Sequence, residues 1–136
     1  MTNIESEKVV IHNSADVIYN FLSDFNNFQD LMPEQVINWK STKDTCSFTI
    51  KGMTDLAMMI SERIPDRKVV MIPDGKTPLS YSLHSMLNAL AADKCEAQIT
   101  FEAELNPMMS MLATKPLQNF VNVLASKLKE KFDLKL

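Results

Sequence analysis

Residues 95–105 read CEAQITFEAEL, and the alternation runs unbroken. Cys95, Ala97, Ile99, Phe101, Ala103 and Leu105 fall on one side; Glu96, Gln98, Thr100, Glu102 and Glu104 fall on the other. A period of two with one apolar and one polar face is the signature of a half-buried strand in an antiparallel sheet. At about 3.3 Å per residue such a run extends roughly 36 Å, long enough that the strand must curve. Asn106 and Pro107 end it, a capping residue followed by proline at the first helical position. Beyond them the apolar spacing widens to the helical period: Leu117, Phe120, Val121, Leu124, Leu128 and Phe132 share a face, opposite Gln118, Asn119, Asn122, Lys127, Lys129 and Lys131. The stretch from Pro116 to Phe132 makes about 25 Å of helix, and Pro116 is expected to break or kink what precedes it. One curved strand and one amphipathic helix, each with a dry face, are most simply buried against each other.

Working back toward the N-terminus, more short strands come into view. Tyr81, Leu83 and Leu87, with Leu79 before them, alternate with Ser80, Ser82, His84 and Asn88. Val69 to Ile72 is a strand between two turns, Pro65-Asp66-Arg67-Lys68, read as type I with proline second, and Pro73-Asp74-Gly75-Lys76. Met53 to Ile64 carries Leu56, Met58 and Ile60 on one face; Cys46, Phe48 and Ile50 alternate before Gly52; Ile37 and Trp39 alternate before the turn Thr42–Thr45. These runs and the last strand make a six-stranded meander with no crossover helix, which excludes a parallel sheet. Ahead of it, Ile4 to His12 reads as one strand. Ser14 is the expected cap of a short helix striped by Val17, Ile18, Phe21, Leu22 and Phe25. Asn26 and Asn27 interrupt that helix, and Phe28, Leu31 and Met32 form a second short turn that Pro33 ends.

Composition narrows the role. The 136 residues suffice for one domain, 1–136, with its own core. A net charge of -3 argues against nucleic acid, which needs clustered cations. Lys115, Lys127, Lys129, Lys131 and Lys135 read as the wet face of the last helix. The first residues, MTNIESEKVV, lack the apolar core of a secretory signal, and no run reaches the length of a membrane span, so a cytoplasmic protein without membrane insertion is expected. Cys46 and Cys95 then read as small buried hydrophobes, with a disulfide between them as the lesser alternative. Two glycines leave no phosphate-cradling loop. His12 and His84 stand far apart without a third ligand, so neither a metal nor a cofactor is expected. Glu102 and Glu104 sit on a solvated strand face rather than in a catalytic pair, and no catalytic residue is assigned.

The order of strand, two short helices, meander and long final helix resembles the helix-grip fold of the START-like superfamily, which includes birch-pollen-allergen proteins, polyketide cyclases and lipid-transfer domains. The resemblance spans the chain and is sharpest in Val17-Ile18-Tyr19-Asn20-Phe21-Leu22 through Asn27-Phe28 to Leu31-Met32-Pro33, then Trp39, and again in Lys115-Pro116-Leu117 through Leu124-Ala125-Ser126-Lys127-Leu128. It implies an α+β architecture: a curved antiparallel sheet of about seven strands wrapped around a long C-terminal helix, with two short helices after the first strand. It also implies a cavity between sheet and helix. Alternation then nominates Trp39, Phe48, Met58, Met71, Tyr81, Leu83, Ile99 and Phe101 as lining on the sheet side, and Met109, Leu112, Phe120 and Leu124 on the helix side. Each of these also reads as plain core. Only Tyr81 among them brings a polar group with chemistry, and the glycine-rich loop common in the family is missing.

Ten methionines against two glycines point the same way, because methionine fills irregular space and tolerates varied guests. Met58 and Met71 face inward in this reading, and Met108, Met109 and Met111 open the final helix. The expected role is binding or transport of a hydrophobic small molecule (a lipid, isoprenoid or aromatic). The alternatives are a cyclase- or hydratase-type enzyme, which requires buried acid-base groups, and a homodimeric or co-chaperone-like interaction module, for which outward Met53, Met59 and Met86 would supply the contact.

Overall fold

The computed structural model describes residues 2–52, 55–75 and 80–133. Met53, Lys76, Leu79 and Lys135 lie outside the described residues. The elements are β1 (Thr2–Glu5), β2 (Val9–Ile11), α1 (Ala15–Leu22), α2 (Phe25–Phe28) running into a 3-10 turn (Gln29–Leu31), β3 (Val36–Ser41), β4 (Thr45–Ile50), β5 (Asp55–Ile64), β6 (Lys68–Pro73), β7 (Tyr81–Ala91), β8 (Lys94–Ala103) and α3 (Pro107–Phe132). All strand pairings are antiparallel, in the order β1-β8-β7-β6-β5-β4-β3, with β2 also on β8. The sheet is open, the α+β class is as expected, and the meander β3–β8 is the one read from alternation.

The expected first strand is two. Ser6 lies between them, its N–H donating to the Ile99 carbonyl at 2.8 Å and its hydroxyl accepting from the Ile99 N–H at 2.9 Å. A side chain thus replaces one rung of the ladder, and both halves stay on β8 with shifted register: Glu5 opposite Thr100, Val9 opposite Ala97. Ser6 alternates with Ile4 in the sequence, which is why the run reads as unbroken.

Four further details depart from expectation. Ser14 occupies the cap position of α1 without a side-chain cap bond; its own N–H is taken by Asn13 Oδ1. The helical break falls at Ser23–Asp24 instead of Asn26–Asn27, because the Asp24 carboxylate accepts from Asn26 N–H and starts α2 at Phe25. The β5–β6 turn has Pro65 second and Asp66 third at φ 62, closed by Arg67 N–H on the Ile64 carbonyl, which is type II rather than type I. Finally, α3 runs unbroken through Pro116 for 26 residues, about 39 Å. The side chain of Asn106 caps it by accepting from Met109 N–H.

The inner face of the sheet, α1, α2 and one face of α3 enclose a single apolar core. Ile18, Leu22, Phe25, Phe28 and Leu31 enter it from the first helices, and Leu117, Phe120, Val121, Leu124 and Leu128 from α3. Lysines expected on the wet face of α3 instead tie its last turns down. Lys127 Nζ donates to the Met32 carbonyl, Lys129 Nζ to the Val10 carbonyl and Asp133, and Lys131 sits over the Phe21 ring near Asp30. Their stems lie along apolar surface while the charged ends find carbonyls and carboxylates.

Candidate functional site

Register divides the sheet into two ends. Val36, Ile50, Asp55, Pro73, Tyr81 and Ala103 lie at one, and α3 begins beside it; Ser41, Ile64, Val69 and Cys95 lie toward the other, which α1 covers through β6 and β7. The candidate site is the inner face toward the first end. Phe48 is opposite Leu56, Cys46 opposite Met58, and Leu83 opposite both Met71 and Phe101. Tyr81 stacks on Phe101 with ring centroids 5.2 Å apart, and Trp39 stacks on Phe48 at 5.3 Å.

Of the nominated residues, Phe48, Met58, Met71, Tyr81, Leu83, Ile99, Phe101, Phe120 and Leu124 are buried on this face or on α3, and Trp39 is half-buried against them. Met109 and Leu112 are not brought in: they are 39% and 74% exposed. At 100° per residue Leu112 falls on the side of α3 away from Leu117, Leu124 and Leu128, together with Met108 and Met111, which are 73% and 86% exposed. Pro116 lies in the same early part of α3, where the apolar face is read across an exposed turn. The first buried residue of α3 is Ala113.

Trp39 reaches the inner face through a bulge. Ile37 pairs with Thr49 and Lys40 with Ser47, so Asn38 and Trp39 together oppose Phe48. Asn38 takes φ 58 and its amide turns outward to Thr49. Strict alternation had put Ile37 beside Trp39; the extra residue puts Val36 and Trp39 inside and Ile37 outside.

No charged side chain is buried among the described residues; the buried polar ones are Ser6, Ser23, Ser85 and Thr100. Burial pushes the Cys46 thiol up to about 12 and raises the Tyr81 phenol, with Cys46 nearby adding to it, so both stay protonated near neutral pH. The Tyr81 hydroxyl donates to the Ala57 carbonyl at 3.2 Å. Among the described residues, two buried side-chain polar atoms have no partner, Trp39 Nε1 and Ser85 Oγ. Cys46, read as buried but not nominated as lining, and Ser85, which the sequence reading omits, are turned inward by the same alternation that turns Phe48 and Leu83 inward.

Elsewhere, a cleft of about 440 Å³ opens between β2 and α3, lined by Glu7, Lys8, Val9, Val10, His12, Asn122, Ala125, Ser126 and Lys129. Lys129 Nζ is already committed there to Val10 and Asp133. On the outer face His84 is half-buried rather than wet, bonded to Ser82 Oγ at 2.8 Å with Glu102 at 3.5 Å. Both contacts use Nε2, so this is not a relay through two ring nitrogens. Among the described residues no group of three or more His, Cys, Asp or Glu could hold a metal, and no helix is long and apolar enough to cross a membrane. Cys46 and Cys95 are both free and buried.

No family model matches the chain, and no curated protein matches it in sequence. Solved structures do. A START superfamily protein from Mycobacterium smegmatis is 15% identical with a TM-score of 0.68, over 96% of each chain. The Aha1 dimer from Colwellia psychrerythraea is 18% identical with a TM-score of 0.65, over 98% of each. Norcoclaurine synthase from Thalictrum, a point mutant in complex with a transition-state analogue, is 12% identical with a TM-score of 0.72, over 96% of this chain and 93% of that one. At these identities the likeness is one of fold, and the fold is START-like.

Proposed function

We propose that this START-like chain binds a hydrophobic small molecule between the inner face of β4, β5, β7 and β8 and the first half of α3. The observation that carries the proposal is the absence of any buried charge among the described residues on a face built from stacked aromatics and methionine. Small-molecule sites are lined mostly by apolar side chains with a few polar groups, and this face has that composition. A cyclase or hydratase needs an inner group that takes or gives a proton near neutral pH. Cys46 and Tyr81 are both shifted away from that range. That norcoclaurine synthase, a protein of the same fold, has been solved with a transition-state analogue supports a ligand-binding role without importing its chemistry.

The test is uptake of a medium-chain hydrocarbon such as decane, followed by mass spectrometry of organic extracts and by displacement of a fluorescent apolar dye. Saturable one-to-one uptake is expected, weakened by a bulky substitution at Ala113 on α3. No saturable uptake, or uptake indifferent to Ala113→Phe in a folded variant, would overturn the proposal.

A second reading rests on the outer face. Met59 and Met86 are exposed there as anticipated, with Ile64 and Leu90, and a protein of this fold has been solved as a dimer. Light scattering tests it: a homodimer that Met86→Lys dissociates supports it, and a monomer at all concentrations removes it.

A further inference from the structure

Trp39 is the one tryptophan of the chain, and its indole nitrogen is buried without an acceptor. An indole N–H can only donate, so its partner must be an acceptor. Two features orient the ring. Stacking on Phe48, with 24° between planes, sets its tilt. The bulge at Asn38, held at positive φ, is what turns Trp39 rather than Asn38 inward. Asparagine takes the left-handed region more readily than most residues other than glycine, which suits Asn38 to this bulge, and bulges that re-aim a side chain recur beside binding sites.

The other donors of this face are used, unselective or, like the Cys46 thiol, weak. The Tyr81 hydroxyl is spent on the Ala57 carbonyl. The Ser85 hydroxyl can donate or accept and so does not choose between ligands. The unfilled donor therefore specifies an acceptor, and the lack of buried charge specifies its kind. No buried cation among the described residues would offset an ionised carboxylate, and no buried anion would offset an ammonium.

Resting on the reading of this face as a ligand site, we infer that the ligand is an apolar molecule bearing a neutral carbonyl oxygen, and that Trp39 Nε1–H donates to that oxygen. Hydrocarbon contact supplies most of the affinity; the indole supplies orientation and choice of head group.

The experiment uses four probes of equal chain length: 2-decanone, decane, decanoate and decylamine. A lone tryptophan gives a single indole N–H signal in a ¹H–¹⁵N spectrum, so the reporter is unambiguous. The ketone is expected to bind about five- to tenfold more tightly than decane, the span of one ordinary hydrogen bond, and to shift the indole N–H signal downfield. Decane is expected to bind without that shift, and decanoate and decylamine to bind more weakly than the ketone. In Trp39→Phe, with folding checked by circular dichroism, the ratio of ketone to decane affinity is expected to fall to about one, whatever the change in both affinities from the smaller ring. If that variant does not fold, the indole shift in the unmodified protein decides.

Equal binding of ketone and decane with an unmoved indole signal would overturn the inference and leave the apolar site standing. Tightest binding of decanoate or decylamine would overturn it as well. Binding of none of the four would remove the apolar site itself and the inference with it.

Discussion

Two buried serines predict opposite outcomes for the same chemical change. Ser6 is 4% exposed and its oxygen accepts the N–H of Ile99, which is itself buried; Ser85 is 1% exposed and its oxygen has no partner. Ser6→Ala leaves the Ile99 N–H without an acceptor where water does not reach. Orphaning a buried donor costs about 1–3 kcal/mol, and the Ser6 hydroxyl also gives up its own bond to the Glu7 carbonyl. A loss near 2 kcal/mol is therefore expected. For a chain of this length, between the size classes usually tabulated, that is a fall in Tm of roughly 6–10 °C. Ser85→Ala removes a hydroxyl already desolvated and unpaired, so its expected effect is between zero and about 1 kcal/mol of added stability. Urea denaturation of both variants measures the pair, and amide hydrogen exchange at Ile99 locates the effect: it should quicken in Ser6→Ala and stay slow in Ser85→Ala. Equal effects of the two substitutions would refute the reasoning, since it depends wholly on which oxygen has a partner.

Other expectations follow from the same geometry. Leu124→Ala should cost about 2–5 kcal/mol, while Leu112→Ala, on the exposed turn of α3, should stay within about 0.5 kcal/mol; urea midpoints separate them. Cys46, with its thiol held near 12 by burial, should resist alkylation at pH 8 in the folded protein and react promptly in denaturant, as mass spectrometry would record. His84 has its pKa lowered, chiefly by burial and also by Lys68, against the opposing pull of Glu102 and Glu62. The unfolded chain then binds the proton more readily, so His84 contributes stability above its unfolded pKa of 6.5 that is lost as pH falls through the lower folded value. His84→Gln should flatten that part of the stability profile, and an unchanged slope would count against it.

What could be read from the sequence depended on whether one side chain sets one face. In β8 the polar and apolar positions never collide, so Cys95, Ala97, Ile99, Phe101 and Ala103 lie inside as read and the strand announced the sheet, while Thr100, read as wet, is buried on the outer face opposite His84. At Trp39 the same rule placed the ring inside but put Ile37 with it, because a bulge costs one residue and leaves no mark in a polar–apolar string. At Ser6 the opposite occurred: a small polar residue does a backbone's task and vanishes into an alternating run. Met109 and Leu112 were misplaced because helical periodicity was extended through a stretch where apolar residues occupy every side, leaving no contrast to read. The unpaired indole and the buried Ser85 hydroxyl depend on what lies beyond the strand that carries them, and no local pattern contains that.

The convergence on β8 also has a consequence for how the chain is made. Its edge receives β1 and β2 from the beginning of the sequence, and α3, which follows it, packs across all three. Emerging residue by residue, Ile4 and Ile11 have no lasting place until residues 94–103 appear, and the carbonyls of Val10 and Met32 wait longer still for Lys129 and Lys127. Pairings of such long sequence separation form late and slowly. The meander can assemble as it is synthesised, and β1, β2 and α3 are expected to fasten together on β8 after it, completing the apolar interior.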